Sequence, residues 1–560
     1  MSYFKDIFAS KLSEQIKDLT KEELLELIES PDAKMGDLAF PCFKLAKIFR
    51  KAPHVISQEL VEKLNFNNEF SSVKAVGPYI NVFINNSALL KHFENEFTNN
   101  KILQPLPRLN KNIPIDYSSP NIAKPIAFHH IRSTVIGNAI SNLFEFIGYD
   151  LKRINYLGDW GTQFGKLSVA FKKWGNEKDL EEKGIKHLLE IYVKYHEESK
   201  NDETLDIEAR RLFKLTEDGD EEALKLWKRF RDISIKEFNR IYDILGVKFT
   251  HIEGESRYAS TLNDTIELIK TKIHTEISQG ALIIPLEEED MPPVLLKKMD
   301  GATLYATRDI AAAIDRYERF NSARSLYAVG SQQKLYFKQL KTVLLKMGYE
   351  WAENIKHIDF GMVKGMSTRK GNLVFLEDVL KEAIALSKEK ILEKGRVPES
   401  EIDEVARKVG VGAIIFGDLK SSRINDFEFN WEDLLNFSGY SGPYVQYSYT
   451  RVKSIMRKSD IKDYSNADLS LLKEDIEIEL VKELLKFPQI IQKAVDNDEL
   501  YFLAKYSYSL SKLMANFHRF VHVLNADTET QKARLFLLSK VADTIKTTLS
   551  ILGVETVESM

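Results

Sequence analysis

Between Ile113 and Tyr156 the chain passes through an apolar segment, a polar turn, a long amphipathic segment and a second apolar segment. Ile113 to Tyr117 has the length and composition of a buried strand, and Ser118-Ser119-Pro120-Asn121 reads as the turn that ends it. From Ile131, apolar residues recur at Val135, Ala139, Leu143 and Ile147, with Ile136, Ile140 and Phe144 beside them. That is the stripe of a helix laid against a sheet. Gly148 stands where a left-handed cap residue would end the helix. Two short strands joined by one helix make a parallel βαβ unit. Ligands of such sheets sit beyond the strand carboxyl ends, where helix N-termini turn unpaired N–H groups toward anions. Asn121, Lys124, His129, His130 and Arg132 are therefore expected to gather where a phosphate would bind.

The 560 residues exceed what one core holds and point to about three or four domains. With only 26 Gly and 15 Pro, long helices should dominate. A net charge of −4 rules out a uniformly basic nucleic-acid coat, so any RNA contact must use local basic patches. Cys42 is the only cysteine, which excludes a disulfide framework or a cysteine zinc cluster within one chain and fits a reducing cytoplasm. No apolar run approaches the roughly 20 residues of a membrane span, and the first residues lack a signal peptide's apolar segment. A soluble cytoplasmic protein is expected, with no membrane partner and no protein-only metal site.

SSPNIAKPIAFHHIRSTVIGNA resembles the region around the HIGH motif of class I aminoacyl-tRNA synthetases. With its flanks and the following NYLGDWGTQFGKL, it is similar to the arginyl-tRNA synthetase family in particular. Ala127, Phe128, His129 and His130 stand where the family has His-x-Gly-His, so only His130 carries over. Further along, HIDFGMVKGMSTRKGNLVFLEDVL resembles the family's KMSKS loop region, with Met366, Ser367, Arg369 and Lys370 at the matching positions and Thr368 in place of a lysine. In family members with this MSTRKG form, a lysine upstream of the HIGH motif is thought to replace the lost charge, and Lys124 occupies that place. The stretch lacks the spacing of a P-loop. By itself it could equally be a basic, glycine-rich surface loop.

DGATLYATRDIAAAIDRYERF is expected to be a strand over Ala302–Ala306 followed by a helix from about Asp309. It resembles the family's arginine pocket, which implies Tyr305 and Asp309 as ligands, with Gln333 of SLYAVGSQQKLYFKQL lining both the amino-acid and adenosine sites and Glu255 of HIEGES as a second carboxylate. Ser119 and Asn121 join this arginine set. The chemistry agrees: a guanidinium is permanently charged with a planar fork of donors, and selecting it calls for carboxylates in bidentate reach. Without the resemblance, Asp309 is a helix-start carboxylate favouring the macrodipole.

GDLAFPCFKLAKIFRKAP and VGPYINVFIN resemble the family's N-terminal domain, implying Tyr79 and Asn81 as contacts to a base in the outer corner of tRNA; alone, Tyr79 reads as a half-buried strand aromatic. The charged stretch from about Phe171 to Leu245 reads as an inserted helical layer and says nothing about chemistry. FSGYSGPYVQYSYTRVKSIMRK resembles the entry to the family's anticodon-binding domain. Arg451 and Lys458, seven residues apart, share one helix face there; by itself such a stripe is more often a solvated face than one that tracks phosphates, and GPYVQY reads as packing.

The expected fold is α/β: a class I Rossmann-like catalytic domain over 110–400 with helical insertions, a small α+β N-terminal domain over 1–95, and an all-α C-terminal anticodon-binding bundle over 405–560. The resemblance implies a monomeric enzyme that uses L-arginine, ATP with Mg2+ and tRNA(Arg), with no permanent cofactor. Lys124, His130, Gln333 and Met366 would hold ATP, and His129 would partly replace the missing first histidine. A catalytically silent tRNA binder, and another nucleotidyl transferase of the superfamily or a synthetase for a different amino acid, are the alternatives.

Overall fold

A computed structural model describes residues 1–560 apart from 33, 67, 100, 300–303 and 366–373. Five parallel strands form its central sheet: β1 (Asn112–Asp116), β2 (Asp150–Leu157), β3 (His251–Gly254), β4 (Ser325–Tyr327) and β5 (Ile355–His357). Their spatial order is β5-β4-β1-β2-β3. The order reverses between β1 and β4, where Asp116 pairs with Tyr327, and this is the switch point at which ligands of open parallel sheets bind. The helices that matter for the site are α1 (Ile131–Phe146), α2 (Ile185–Glu198), α3 (Glu221–Leu245), α4 (Tyr305–Phe320), α5 (Leu376–Lys394) and α6 (Ile402–Leu419).

The βαβ unit forms as its periodicity predicts, and Gly148 takes the expected left-handed φ of 94°. One expectation is exceeded: every residue of α1 from Ile131 to Ser141 is buried, polar ones included. The reason is packing on more than one side. At Gly137 the helix lies so close to the sheet that a Cβ would sit 2.3 Å from Tyr117 Cβ. Across α1, Arg132 meets Asp418 of α6. Burying each large apolar side chain of such an interface contributes roughly 1.5–3 kcal/mol.

The charged stretch after β2 is helical, as its spacing predicts. Its core joins Leu188, Ile191 and Tyr195 of α2 with Phe230 of α3, Leu167, Leu205, Leu212 and Ala123. By contrast, Tyr305 and Ala306 are not in a strand. Leu304 is extended and caps α4, whose start is pinned by bonds from Leu304 N–H and Thr307 Oγ1 to Leu296 O, each 3.0 Å. Of the expected strand, 302 and 303 lie outside the described residues. The chain leading into β1 is tied to the end of α1, because Leu106 and Leu109 N–H donate to Phe146 O and Gly148 O.

Contacts divide the chain into two compact units. The second unit comprises Pro105–Gln446, Ala494–Ala504 and Leu549–Met560 and contains the parallel sheet. The first comprises Met1–Gln104, Tyr447–Lys493 and Lys505–Thr548. In it, an antiparallel sheet of Leu38–Pro41, Tyr79–Ile84 and Phe70–Val76 is flanked by helices from both ends of the sequence. Phe93 meets Phe536 edge-on with centroids 6.1 Å apart, and Lys482 Nζ lies 2.5 Å from Asp37 Oδ1.

Candidate functional site

The turn after β1 is built from residues in an unfavourable conformation. Ser118 and Ser119 have φ of 69° and 46°. Each left-handed non-glycine residue costs on the order of 1 kcal/mol or more and persists only where neighbours over-determine it. Here Ser133 Oγ accepts from Ser118 N–H at 2.8 Å, Asn155 Oδ1 accepts from Ser119 N–H at 3.2 Å, and Ser118 Oγ lies 2.8 Å from Tyr242 OH. Ser119 Oγ turns inward and donates to Asp116 Oδ1 at 2.7 Å. Asn121 forms a parallel bridge with Gly158 just past β2, and a Cβ at Gly158 would lie 1.9 Å from Asn121 Oδ1. Asn121 is therefore held over the carboxyl edge of the sheet.

Two carboxylates face that edge from other segments. Glu255 follows β3 directly, and Asp309 lies in the second turn of α4. Burial pushes the Glu255 carboxyl up to about 7, although the Arg308 guanidinium 3.3 Å away pulls it down; the nearby Asp309 charge adds to the rise. Burial also raises Asp309, to about 6, against the opposing hydrogen bond from Tyr336 and the field of Arg316. The Tyr336 hydroxyl donates to Asp309 Oδ2, and Tyr305, exposed, meets the Tyr336 ring edge-on at 5.1 Å. Starting α4 at Tyr305 puts Tyr305 and Asp309 one turn apart on one face. Gln333 is exposed in the turn after β4.

Two groups in this region escaped sequence reasoning. Tyr156 OH is buried, has no hydrogen-bond partner among the described residues, and lies in the field of Asp309 and Glu255. Asp159, fully buried, accepts from Ser256 N–H and Ser256 Oγ, both at 2.8 Å, and from Arg231 Nε at 3.0 Å, fixing the turn that carries Glu255. A lone aspartate after a glycine is no signal in sequence; its partners lie about 70 to 100 positions away.

On the other flank, Phe128–His130 form a single 3₁₀ turn before α1. His130 Nδ1 lies 3.2 Å from Ala127 O, so it must carry the hydrogen, leaving Nε2 as an acceptor in the neutral ring. Burial, with His129 repelling it, lowers His130 to about 4. His129 is exposed and its ring is 4.2 Å from that of His130. Lys124 Nζ lies over the Tyr192 ring, 4.7 Å from its centroid. Arg132 does not join this group. It is 2% exposed, bonds Asp418 Oδ1 at 2.8 Å, and donates to the carbonyls of Gly361 and Asn425 at 2.8 Å each. Met366, Ser367, Arg369 and Lys370 lie outside the described residues, but the chain just beyond them is tied to the histidine turn: Phe128 N–H donates to Val374 O and Leu376 N–H to Ile126 O.

In the other unit, Tyr79 opens its strand and meets exposed Phe43 edge-on at 5.6 Å. Asn81 is buried; its Nδ2 donates to Met35 O at 2.9 Å and its Oδ1 has no partner among the described residues. Arg451 lies along the Tyr447 ring and donates to its hydroxyl at 3.0 Å, whereas Lys458 is exposed. Gln446 of the GPYVQY segment, in the unit of the parallel sheet, bonds Lys408 O and Glu555 O and serves packing. Among the described residues, no group of three or more His, Cys, Asp or Glu could hold a metal ion, and no helix is long and apolar enough to cross a membrane.

A parallel sheet followed by a histidine turn after β1, a carboxylate after β3 and a second carboxylate in α4 suits a nucleotide and a cationic substrate together. The family model described as "tRNA synthetases class I (R), catalytic domain" matches residues 92–431, which makes the chain a class I aminoacyl-tRNA synthetase. Residues 4–84 match "Arginyl tRNA synthetase N terminal domain", and 445–560 match "DALR anticodon binding domain". The chain is 44% identical over 570 residues to "Arginine--tRNA ligase 1" of Bacillus cereus and 44% over 564 residues to "Arginine--tRNA ligase" of Halothermothrix orenii, covering 100% of both chains in each case. The crystal structure of arginyl-tRNA synthetase from Plasmodium falciparum superimposes with a TM-score of 0.81 at 25% identity, over 100% of this chain and 98% of that one. That of Thermus thermophilus shares the fold with a TM-score of 0.82 at 24% identity, over 100% and 99%. The chain belongs to the arginyl-tRNA synthetase family, the arginine--tRNA ligases of class I.

Proposed function

We propose that this chain joins L-arginine to ATP as arginyl-adenylate and transfers the arginyl group to the terminal adenosine of tRNA(Arg). In the first step a carboxylate oxygen of arginine attacks the α-phosphorus, and the bond to pyrophosphate breaks. In the second the terminal 2′-hydroxyl attacks the activated carbonyl and AMP leaves. The protein supplies no nucleophile, so catalysis is orientation and charge stabilisation. Glu255 and Asp309 hold the guanidinium, with Tyr305, Asn121 and Gln333 around the rest of arginine and Ser119 supporting the turn. Lys124, His130, His129 and the residues Met366, Ser367, Arg369 and Lys370 act on the phosphates, with Gln333 and Met366 also touching ATP and Mg2+ accompanying it as part of the substrate.

His130 acts as a phosphate donor only after gaining a proton at Nε2, because its Nδ1 hydrogen is committed to Ala127 O. Residues 1–95 read the outer corner of tRNA through Tyr79 and Asn81. Residues 405–560 bind the anticodon arm, with Arg451 and Lys458 on phosphates, and 110–400 carry the chemistry. The enzyme works as a cytoplasmic monomer. The observation that carries the proposal is the pair of half-buried carboxylates, Glu255 after β3 and Asp309 in α4, in a chain similar over its full length to arginine--tRNA ligases. A pyrophosphate-exchange assay with each amino acid, with and without tRNA, tests it. Exchange with arginine alone is expected; exchange with an apolar amino acid, or none at all, rejects it.

A further inference from the structure

The inserted helical layer carries no catalytic motif, yet it forms the bed on which the phosphate-side lysine rests. Ala123, immediately before Lys124, is left-handed with φ 68°, packs in the core of this layer, and donates its N–H to Ser234 Oγ of α3 at 2.9 Å. A strained alanine buried in a helical core leaves the next residue little choice of direction. Lys124 then reaches Tyr192 of α2, whose ring face lies 4.7 Å from Nζ. Tyr192 is itself held, edge-on to His196 one turn later at 4.6 Å.

The helix is also fixed to the site. Lys186, six residues before Tyr192, places Nζ 3.1 Å from Glu377 Oε2, and Arg240 of α3 reaches Oε1 at 2.7 Å. Glu377 lies in the first turn of α5, and the chain entering α5 pairs with residues 126–128, just before the two histidines. One helix thus braces both ends of the stretch from Lys124 to His130.

We propose that Tyr192 is a positioning residue, whose ring face pre-orients the Lys124 ammonium for the ATP phosphates. A lysine has a long flexible stem, and ordering it when ATP binds costs affinity; an aromatic face that holds the ammonium beforehand reduces that cost. This inference rests on the reading of Lys124 as a phosphate lysine. The Phe side chain preserves the ring face, whereas Leu fills much of the volume without a quadrupole.

The test is tRNA-supported pyrophosphate exchange with the full-length enzyme, using Tyr192→Phe, Tyr192→Leu, Lys124→Met and the Tyr192→Leu/Lys124→Met double variant, with thermal unfolding of each. Tyr192→Phe should match wild type. Tyr192→Leu should lower kcat/KM for ATP by roughly 2- to 30-fold, the span of a cation–π contact, with the arginine KM unchanged and no further loss in the Lys124→Met background. If Lys124→Met is impaired while Tyr192→Leu equals wild type, or if Tyr192→Phe and Tyr192→Leu lose equally, the positioning role is overturned and the reading of Lys124 stands. If Lys124→Met retains full exchange, both fall.

Discussion

Arginine binding should release protons and weaken steeply in acid. The guanidinium stays charged at any relevant pH, so only ionised carboxylates pair with it. Burial sets Glu255 at about 7 and Asp309 at about 6 in the free protein. Both values are raised, so the binding-competent form is present above them and is lost as pH falls through them. If both groups must be ionised, the apparent Kd is multiplied by the product of their protonation factors. That product is about 1.1 near pH 8, about 2.2 near pH 7 and about 22 near pH 6. The affinity for arginine should therefore fall roughly 20-fold between pH 8 and pH 6, about 1.8 kcal/mol. Removing Glu255 as a titrating group by Glu255→Gln should weaken binding overall and leave only about a twofold change over the same range, from Asp309. Calorimetric titration with arginine, in two buffers of different ionisation enthalpy, measures both affinity and proton release. A wild-type Kd that stays flat over this range, or an unaltered 20-fold change in Glu255→Gln, would refute the reasoning.

Three further outcomes are expected. Arg132→Met strands buried Asp418 and frees three carbonyls, so urea unfolding should show a loss of about 3–5 kcal/mol; a loss below about 1 kcal/mol would mean that the guanidinium network is dispensable. Gly158→Ala drives a methyl group into Asn121 Oδ1, so it should raise the arginine KM by about 1–2 kcal/mol in binding while shifting the unfolding midpoint little; an unchanged KM would exclude Asn121 from the arginine site. Tyr79→Ala should cost roughly 1–3 kcal/mol of tRNA affinity if the ring stacks on a base, with pyrophosphate exchange at saturating tRNA unaltered; filter binding at fixed salt reads this directly, and wild-type affinity would assign Tyr79 to the strand alone.

Much of the catalytic architecture was legible because its signals are local. The strand from Asn112, the stripe of α1, the left-handed Gly148 and the helical nature of the inserted layer all follow from spacings of one to four residues, and such spacings survive in any tertiary setting. The bridge of Asn121 to Gly158, just past β2, follows from the same unit.

What the tertiary structure decided depends on partners far away in the chain. Arg132 looks like a phosphate ligand beside two histidines, but Asp418, 286 residues later, takes its guanidinium into the core. Ser118, Ser119 and Ala123 are left-handed only because side chains from α1, β2 and α3 satisfy their N–H groups. The start of α4 is set by Leu296 in a different strand, so a local strand-like run became the first turn of a helix and brought Tyr305 one turn from Asp309. The first 104 residues share a compact unit with helices from the last 120, an association encoded in surfaces such as Phe93 and Phe536 that have no periodic relation to one another. Local periodicity indicates most of the elements that form. Which charges are quenched and which remain for a substrate is fixed only when distant elements meet, because desolvation and pairing depend on every neighbour in space.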